Sequence, residues 1–330
     1  MKSTMRRNRK IVIAALAVLI LPTIFLLKYI SAPPVAGEEL VPLADSPDMS
    51  AEAKALSGSS AAVTTDATVE ASGVKTVSAG GATIDYSNVE DGYVMVKYTD
   101  STDKKLKVQV KGPETVYTYN LKAKKWEIFP LTDGNGKYQV LVLKNIADSR
   151  YSIQTTASFY VELEDEFAPY IRPNQYVNYA DAPKTMAKAK SLTKKKKSAL
   201  KKVDAIYDYV VENISYDRKR AKTVESGYLP DLDSVLKKKK GICFDYAALM
   251  TGMLRSQGVP CKLVVGYAGT AYHAWISVWV DGKGWIDNVI YFDGTQWKRM
   301  DPTFASGGNK SKSIMKYIGD GKNYTAKYFY

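Results

Sequence analysis

Histidine and cysteine are scarce in this chain. Its 330 residues include one histidine, His273, and two cysteines, Cys243 and Cys261. Two cysteines are too few for a disulfide framework, and one histidine with two distant cysteines does not make a zinc site. We therefore expect no metal and no cofactor.

The chain is rich in positive charge. It holds 47 Lys and Arg against 34 Asp and Glu, a net charge of +13, while its hydrophobic content of 45% is typical of a globular protein. Such a balance favours solubility or contact with an anionic partner. The sequence shows no nucleic-acid-binding signature, so nucleic acid is not an expected partner. Two lysine runs, Lys194–Lys197 and Lys237–Lys240, are interpreted as solvated faces, although the second precedes Cys243 and would attract acidic substrates.

Residues 1–30 have the pattern of an export signal. Basic residues come first, and the run from Ile11 to Leu27 carries no charge. A positive flank holds the N-terminus in the cytoplasm. We expect an uncleaved anchor, residues 11–27, and a single-pass cell-membrane protein with an extracytoplasmic catalytic domain. The alternative is a signal peptide cleaved near Ser31, which gives a secreted protein.

Composition divides the rest of the chain. Residues 31–80 are small and polar and contain no aromatic residue, which predicts a flexible linker. Residues 81–168 alternate like strands and predict a small all-β sandwich, with a hairpin turn at Asp133–Gly136. Its role is either that of a spacer or that of a ligand-binding module. A proline-marked connector, 169–198, leads to the catalytic module, 199–330.

Cys243 lies at the predicted start of a helix. The next turns present an apolar face, and Gly258 is placed to end the helix. Backbone N–H groups at a helix N-terminus favour the thiolate, which is the nucleophilic form. The alternative is a buried, inert cysteine.

His273 and Asp301 follow on predicted strands. Tyr272–Val280 alternates, with His273 and Trp275 on one face, and Trp297, Arg299 and Asp301 alternate further on. A thiol, an imidazole and a carboxylate serve as nucleophile, base and orienting group. An adjacent antiparallel strand would bring Asp301 beside His273. A structural histidine and a turn aspartate are the alternatives.

Five stretches in order carry a resemblance to a known family: Gly241–Leu249, Leu254–Pro260, Val265–Tyr267, His273–Trp275 and Asp301–Thr303. Over about residues 199–305 the chain is similar to bacterial members of the transglutaminase-like superfamily. The resemblance implies an α+β, papain-like core, with a cysteine-bearing helix on an antiparallel sheet. It also implies thioester chemistry on amide bonds, with an oxyanion held by the Cys243 N–H and an upstream aromatic residue. Tyr216 is the candidate for the latter.

The chain departs from the family pattern between His273 and Asp301. The gap is longer than in compact members and resembles an inserted strand pair, which leaves Asp287 and Asp293 as further candidates for the orienting acid. We expect three tryptophans to line the cleft or pack in its sheet: Trp275, Trp285 and Trp297. Cys261 occupies a position that is small in the family, which favours a core residue over a disulfide partner.

These features predict an exported thiol enzyme that hydrolyses peptide or isopeptide bonds or transfers acyl groups. The expected substrate is a protein or peptide, such as a peptidoglycan-linked or surface peptide. The alternative is a non-catalytic surface scaffold that retains the fold.

Overall fold

The computed structural model describes residues 69–282, 284–286, 290–292, 297–299 and 324–330. The predicted anchor, residues 11–27, lies outside these ranges, as does most of the predicted linker. Among the helices of the described ranges, none combines the length and the hydropathy of a membrane span.

Helices and strands alternate in blocks along the chain. The helices are α1 Pro183–Thr193, α2 Ala199–Asn213, α3 Arg218–Thr223, α4 Leu232–Lys238 and α5 Cys243–Arg255, with a 3-10 turn at Ala168–Tyr170. The N-terminal strands are β1 Thr76–Ala79, β2 Ala82–Asp85, β3 Tyr93–Tyr98, β4 Leu106–Lys111, β5 Val116–Leu121, β6 Trp126–Pro130, β7 Gly136–Ala147 and β8 Arg150–Val161. The later strands are β9 Ser215–Tyr216, β10 Lys240–Gly241, β11 Cys261–Ala268, β12 Ala271–Val280, β13 Gly284–Ile286, β14 Ile290–Phe292, β15 Trp297–Arg299 and β16 Tyr324–Phe329.

The first eight strands form two four-stranded sheets, in the orders β1-β2-β3-β6 and β5-β4-β7-β8. Alternation along β4 buries Leu106, Val108 and Val110, as the period of a strand requires. The sheets face each other, and the rings of Tyr119 and Phe129 meet edge to face between them at 4.9 Å. The predicted sandwich is therefore present, and its first strand begins at Thr76, inside the predicted linker.

The predicted hairpin at Asp133–Gly136 is wrong. The strands on either side of this turn lie in different sheets, since β6 pairs with β3 and β7 pairs with β4. The Asp133 carboxylate accepts hydrogen bonds from the backbone N–H groups of Glu114 (3.2 Å) and Thr115 (2.7 Å). These bonds attach the turn to the β4–β5 hairpin, so the chain crosses between sheets at this point.

The second half of the chain surrounds α5. A mixed set of elements covers this helix: α1, α2 and α4 contact it, and so do β11 and β12. Every residue from Asp245 to Arg255 is buried, which explains why its sequence is apolar on nearly all sides. The helix ends as predicted, where Gly258 adopts φ 74° and donates its N–H to the Arg255 carbonyl.

The sheet beside α5 has the order β13-β12-β11-β16, and all its pairings are antiparallel. The fold is thus mixed, with antiparallel sheets and separate helices, as the predicted α+β class requires. Helix α1 falls inside the predicted connector and packs on α2 and α5. Strand β16 is not indicated by the sequence pattern, yet it pairs with β11 along its length.

Arg255 joins the end of α5 to this sheet. It is 1% exposed, and its guanidinium donates to three backbone oxygens: Cys261 at 2.8 Å, Arg172 at 2.8 Å and Tyr330 at 2.5 Å. These bonds connect the helix to β11, to the segment before α1 and to the residue that follows β16. Burial lowers the pKa of Arg255 to about 10.

Candidate active site

Cys243 is the first residue of α5, and a short strand pair sets the approach to it. Strands β9 and β10 run parallel, so that Gly241 pairs with Tyr216, and the Asp217 N–H donates to the Gly241 carbonyl at 2.8 Å. Tyr216, the candidate oxyanion residue, is therefore held beside the turn that delivers Cys243. Backbone N–H groups in the first turn of a helix lack intrahelical acceptors, so the N–H of Cys243 is available to an oxyanion.

Asp245 holds this turn in place. One carboxylate oxygen accepts the Ile242 N–H at 2.8 Å, and the other accepts the Tyr228 hydroxyl at 2.5 Å. Arg220 donates to the Tyr228 hydroxyl at 2.7 Å and lies 3.9 Å from the carboxylate. Burial raises the pKa of Asp245, and the bonds from Tyr228 and Ile242 oppose the rise. A Cβ on Gly241 would lie 2.5 Å from the Asp245 Cβ, which explains the glycine.

The two cysteines have different environments. Both are free thiols; Cys243 is half-buried, and Cys261 is fully buried, with its sulfur 3.6 Å from the Thr251 hydroxyl. Burial raises the pKa of Cys261 to about 12, against a smaller opposing effect of Arg255. A thiol in that state is a poor nucleophile, so Cys243 is the reactive candidate of the two.

His273 lies on β12 opposite Gly266 of β11. Its side chain is buried, 6.3 Å from the Trp275 ring and nearly parallel to it, and 6.4 Å from Tyr324 of β16. A Cβ on Gly266 would lie 2.0 Å from the Thr325 carbonyl oxygen and 2.9 Å from the Trp275 ring. Gly266 thus allows β16 and the Trp275 ring to approach β11 closely, and both pack beside the His273 imidazole.

Tyr272 lies directly before His273 on β12. Its pKa is raised by loss of solvent, then by neighbouring tyrosines, and also by negative charge on Cys243. The Tyr272 ring packs on Tyr267 at 5.5 Å, on the side of β12 opposite to His273, because successive side chains of a strand alternate.

The candidates for the orienting acid, Asp301, Asp287 and Asp293, lie outside the described residues. Strand β15, which leads toward Asp301, pairs with β14, and β12 pairs with β11 and β13. The stretch with the predicted inserted strand pair thus contains the β14–β15 hairpin.

The three predicted tryptophans have different positions. Trp275 is 2% exposed and belongs to the interior beneath His273. Trp285 is half-buried and meets the rings of Tyr170 and Trp279 at 5.3 and 5.7 Å, with the Lys262 ammonium 3.9 Å from its ring centre. Trp297 lies on β15, but its side chain is not among those that the structure describes. Within the described ranges, no group of three or more His, Cys, Asp or Glu residues could hold a metal ion.

Comparisons with known proteins cover the same part of the chain. The model of the transglutaminase-like superfamily matches residues 186–289. The chain is 36% identical over 119 residues to the UPF0252 protein of Methanocaldococcus jannaschii, a match that covers 32% of this chain and 34% of that one. It is 32% identical over 114 residues to the kyphoscoliosis peptidase of Mus musculus, covering 33% of this chain and 16% of that one. The chain therefore spans about a third or less of the length of these relatives.

Among solved structures, a candidate cysteine protease from Cytophaga hutchinsonii is similar with a TM-score of 0.34 and 17% identity. That match covers 64% of this chain and 78% of the other. The score is too low to bear on the assignment, which rests on the sequence match. Residues 186–289, which include both Cys243 and His273, carry the sequence pattern of the transglutaminase-like superfamily.

Proposed function

We propose that this chain is a thiol enzyme that acts on amide bonds, with Cys243 as the nucleophile and His273 as the acid and base. The observation that supports this most strongly is the packing of α5, which begins at Cys243, against β12, which carries His273. A half-buried thiol at the first residue of this helix and a buried imidazole on this strand provide the parts of a nucleophile–base pair.

In the proposed first step, the Cys243 thiolate attacks the carbonyl carbon of the amide, and a C–S bond forms. The negative charge moves to the carbonyl oxygen, near the Cys243 N–H and Tyr216. His273 then gives its proton to the amide nitrogen, and the C–N bond breaks. The amine leaves, and a thioester remains on Cys243.

In the second step, His273 takes a proton from water or from a second amine as that molecule attacks the thioester carbonyl. The C–S bond breaks, and the thiolate is restored. Water gives hydrolysis, and an amine gives acyl transfer. We favour hydrolysis of a peptide or isopeptide bond, because nothing in the sequence excludes water from the site. Asp301 remains the proposed orienting acid.

Turnover of defined peptides tests the assignment of the nucleophile. The full chain is incubated with peptides that carry glutamine side chains or isopeptide bonds, and amine release is followed by mass spectrometry. We expect Cys243→Ala to lose turnover by at least about a thousandfold, since the covalent step is gone. The matched control is Cys261→Ala, which removes a thiol of high pKa and should retain activity. Equal turnover by Cys243→Ala and the parent chain would exclude Cys243 as the nucleophile.

We further propose that the reaction takes place outside the cytoplasm, on wall-linked or surface peptides. The support is the basic start and the uncharged run of residues 11–27. Protease treatment of intact cells that express the full chain tests this: an exported domain is digested, and a cytoplasmic one is protected.

A further inference from the structure

A strongly basic surface adjoins the turn before Cys243. Segment 217–240 holds eight basic and four acidic side chains. Seven of the eight basic residues are exposed, and Arg220 is half-buried. The eight come from α3, from the end of α4 and from β10: Arg218, Lys219, Arg220, Lys222, Lys237, Lys238, Lys239 and Lys240.

A cavity of about 230 Å³ opens in this surface. We call it the basic groove; the lining residues that matter here are Arg220, Tyr228, Asp231, Ser234, Lys238 and Lys240. Since a water molecule takes about 30 Å³ of liquid, the groove has room for a carboxylate side chain together with several waters. Three cations and one carboxylate line it. Arg220 also lies 3.9 Å from Asp245, and Lys240 lies 3.6 Å from Asp217. Lys238 and the exposed lysines around the groove therefore supply the charge that favours an anion.

The basic groove adjoins the turn that precedes Cys243. Arg220 and Tyr228, which line it, also bind Asp245, and Asp245 accepts the N–H of the residue before Cys243. Lys240, on the other side, is three residues before Cys243. The groove is therefore connected to the turn that carries Cys243 through Asp245 on one side and through Lys240 on the other.

The backbone that carries the lysines is fixed. Lys239 ends α4 with φ 53°, its N–H donates to the Val235 carbonyl at 2.8 Å, and its own carbonyl accepts the N–H of Ser215 at 2.9 Å. Within the described part of the chain, Lys240 has an ion pair with Asp217 at 3.6 Å, and Lys238 has none. Lysines at the end of α4 complement its dipole, as Arg220 does at the end of α3, but Lys240 lies on β10, outside both helices.

We infer that the basic groove binds an acidic side chain of the substrate, so that the enzyme acts on amide bonds in carboxylate-rich peptides. This inference rests on the proposed function for its meaning, because it assigns a substrate class to the same site. Lys238 and Lys240 contact the substrate carboxylate, and Arg220 forms the floor of the groove beside Asp245.

Binding is measured with the full chain carrying Cys243→Ala, by the fluorescence anisotropy of a labelled glutamate-rich peptide and of its glutamine-rich counterpart. The double variant Lys238→Gln/Lys240→Gln removes two groove cations. Its matched control, Lys195→Gln/Lys196→Gln, removes two exposed lysines of the other run. We expect the groove variant to weaken glutamate-peptide binding by about fivefold, and the control to leave it unchanged. Added salt should weaken the parent complex.

A second readout locates the bound peptide. In the chain with Cys243 intact, the glutamate-rich peptide should slow the alkylation of Cys243 by iodoacetamide, and this protection should disappear in the groove variant. Equal losses in the two lysine variants, equal binding of the two peptides, or binding without protection would each overturn the inference. Neither readout requires turnover, so a failure here and a failure of the nucleophile assignment are distinguishable.

Discussion

The Tyr228 hydroxyl donates a 2.5 Å hydrogen bond to the buried carboxylate of Asp245, two residues after Cys243. The same carboxylate accepts the Ile242 N–H, and the same hydroxyl accepts a bond from Arg220. Loss of solvent and the bond to Asp245 raise the pKa of Tyr228, so the phenol keeps its proton and remains the donor. A chain of three side chains thus stabilises the turn from which the nucleophile projects.

Removal of the Tyr228 hydroxyl should destabilise the protein. A hydrogen bond to a charged group contributes about 1.5–3 kcal/mol, and Tyr228→Phe leaves Asp245 buried without that donor. We expect the free energy of unfolding, measured by urea denaturation, to fall by about 2 kcal/mol. Tyr160→Phe is the control, because Tyr160 is 63% exposed. An equal change in the two variants would show that the bond contributes nothing.

Arg255→Met should have a larger effect. The substitution keeps a long apolar side chain but removes the donor to three backbone oxygens, of which the Tyr330 oxygen keeps a bond from the Leu263 N–H. Each unsatisfied group costs about 1–3 kcal/mol, so for the remaining two we expect a loss of about 2–6 kcal/mol. The control, Arg218→Met, alters an exposed side chain and should stay within about 0.5 kcal/mol of the parent chain. If Arg255→Met proved as stable as the control, the bonds from Arg255 would not anchor α5 to the sheet.

The protein should unfold in alkali. Burial raises the pKa of Tyr117 to about 12, and it raises the pKa values of six other tyrosines: Tyr119, Tyr138, Tyr170, Tyr176, Tyr179 and Tyr330. Below about pH 10 both states keep these protons. As the pH rises from there toward 12, the unfolded chain loses protons that the folded chain retains, so the free energy of unfolding falls. The lowered pKa of Arg255 makes the free energy of unfolding rise with pH in this window, but this is one group against seven tyrosines.

Each such tyrosine contributes a slope of about 1.4 kcal/mol per pH unit in that window. Urea denaturation between about pH 9 and pH 12 should therefore show a shallower decline for Tyr117→Phe than for Tyr160→Phe. Parallel declines would mean that Tyr117 titrates alike in both states.

Cys261 should resist alkylation in the folded protein. Its thiol is buried, and its pKa is raised to about 12. Peptide mapping after treatment with iodoacetamide should find the label on Cys243, and on Cys261 only after unfolding in urea. Labelling of both cysteines at one rate in the native protein would contradict the assigned burial.

Local patterns were sufficient to predict some elements. Helix α5 and its end at Gly258 follow from apolar spacing and a single glycine, because both depend on residues within a few turns. Cys243 and His273 were selected by their scarcity and by the helix start. Strand β16 was missed because it is short and largely exposed; it is a strand only because β11 offers it an unpaired edge.

Contacts between segments that are distant in the sequence could not be predicted from such local patterns. The turn at Asp133–Gly136 has the residues of a hairpin, but the bonds from Asp133 to Glu114 and Thr115 direct the next strand into the other sheet. The contacts among Arg220, Tyr228 and Asp245 were missed for a similar reason. They depend on how α3, the following loop and α5 pack, which no single stretch of sequence reveals.

The rate at which iodoacetamide alkylates Cys243 near pH 7, compared between the parent chain and His273→Gln, tests the central claim most directly. Thermal unfolding and the protection of Cys261 verify that the variant is folded. If His273 keeps Cys243 nucleophilic, the variant should react more slowly by at least about tenfold. Equal rates in two folded proteins would show that the imidazole does not act on this thiol, and the proposed enzyme would lose its base.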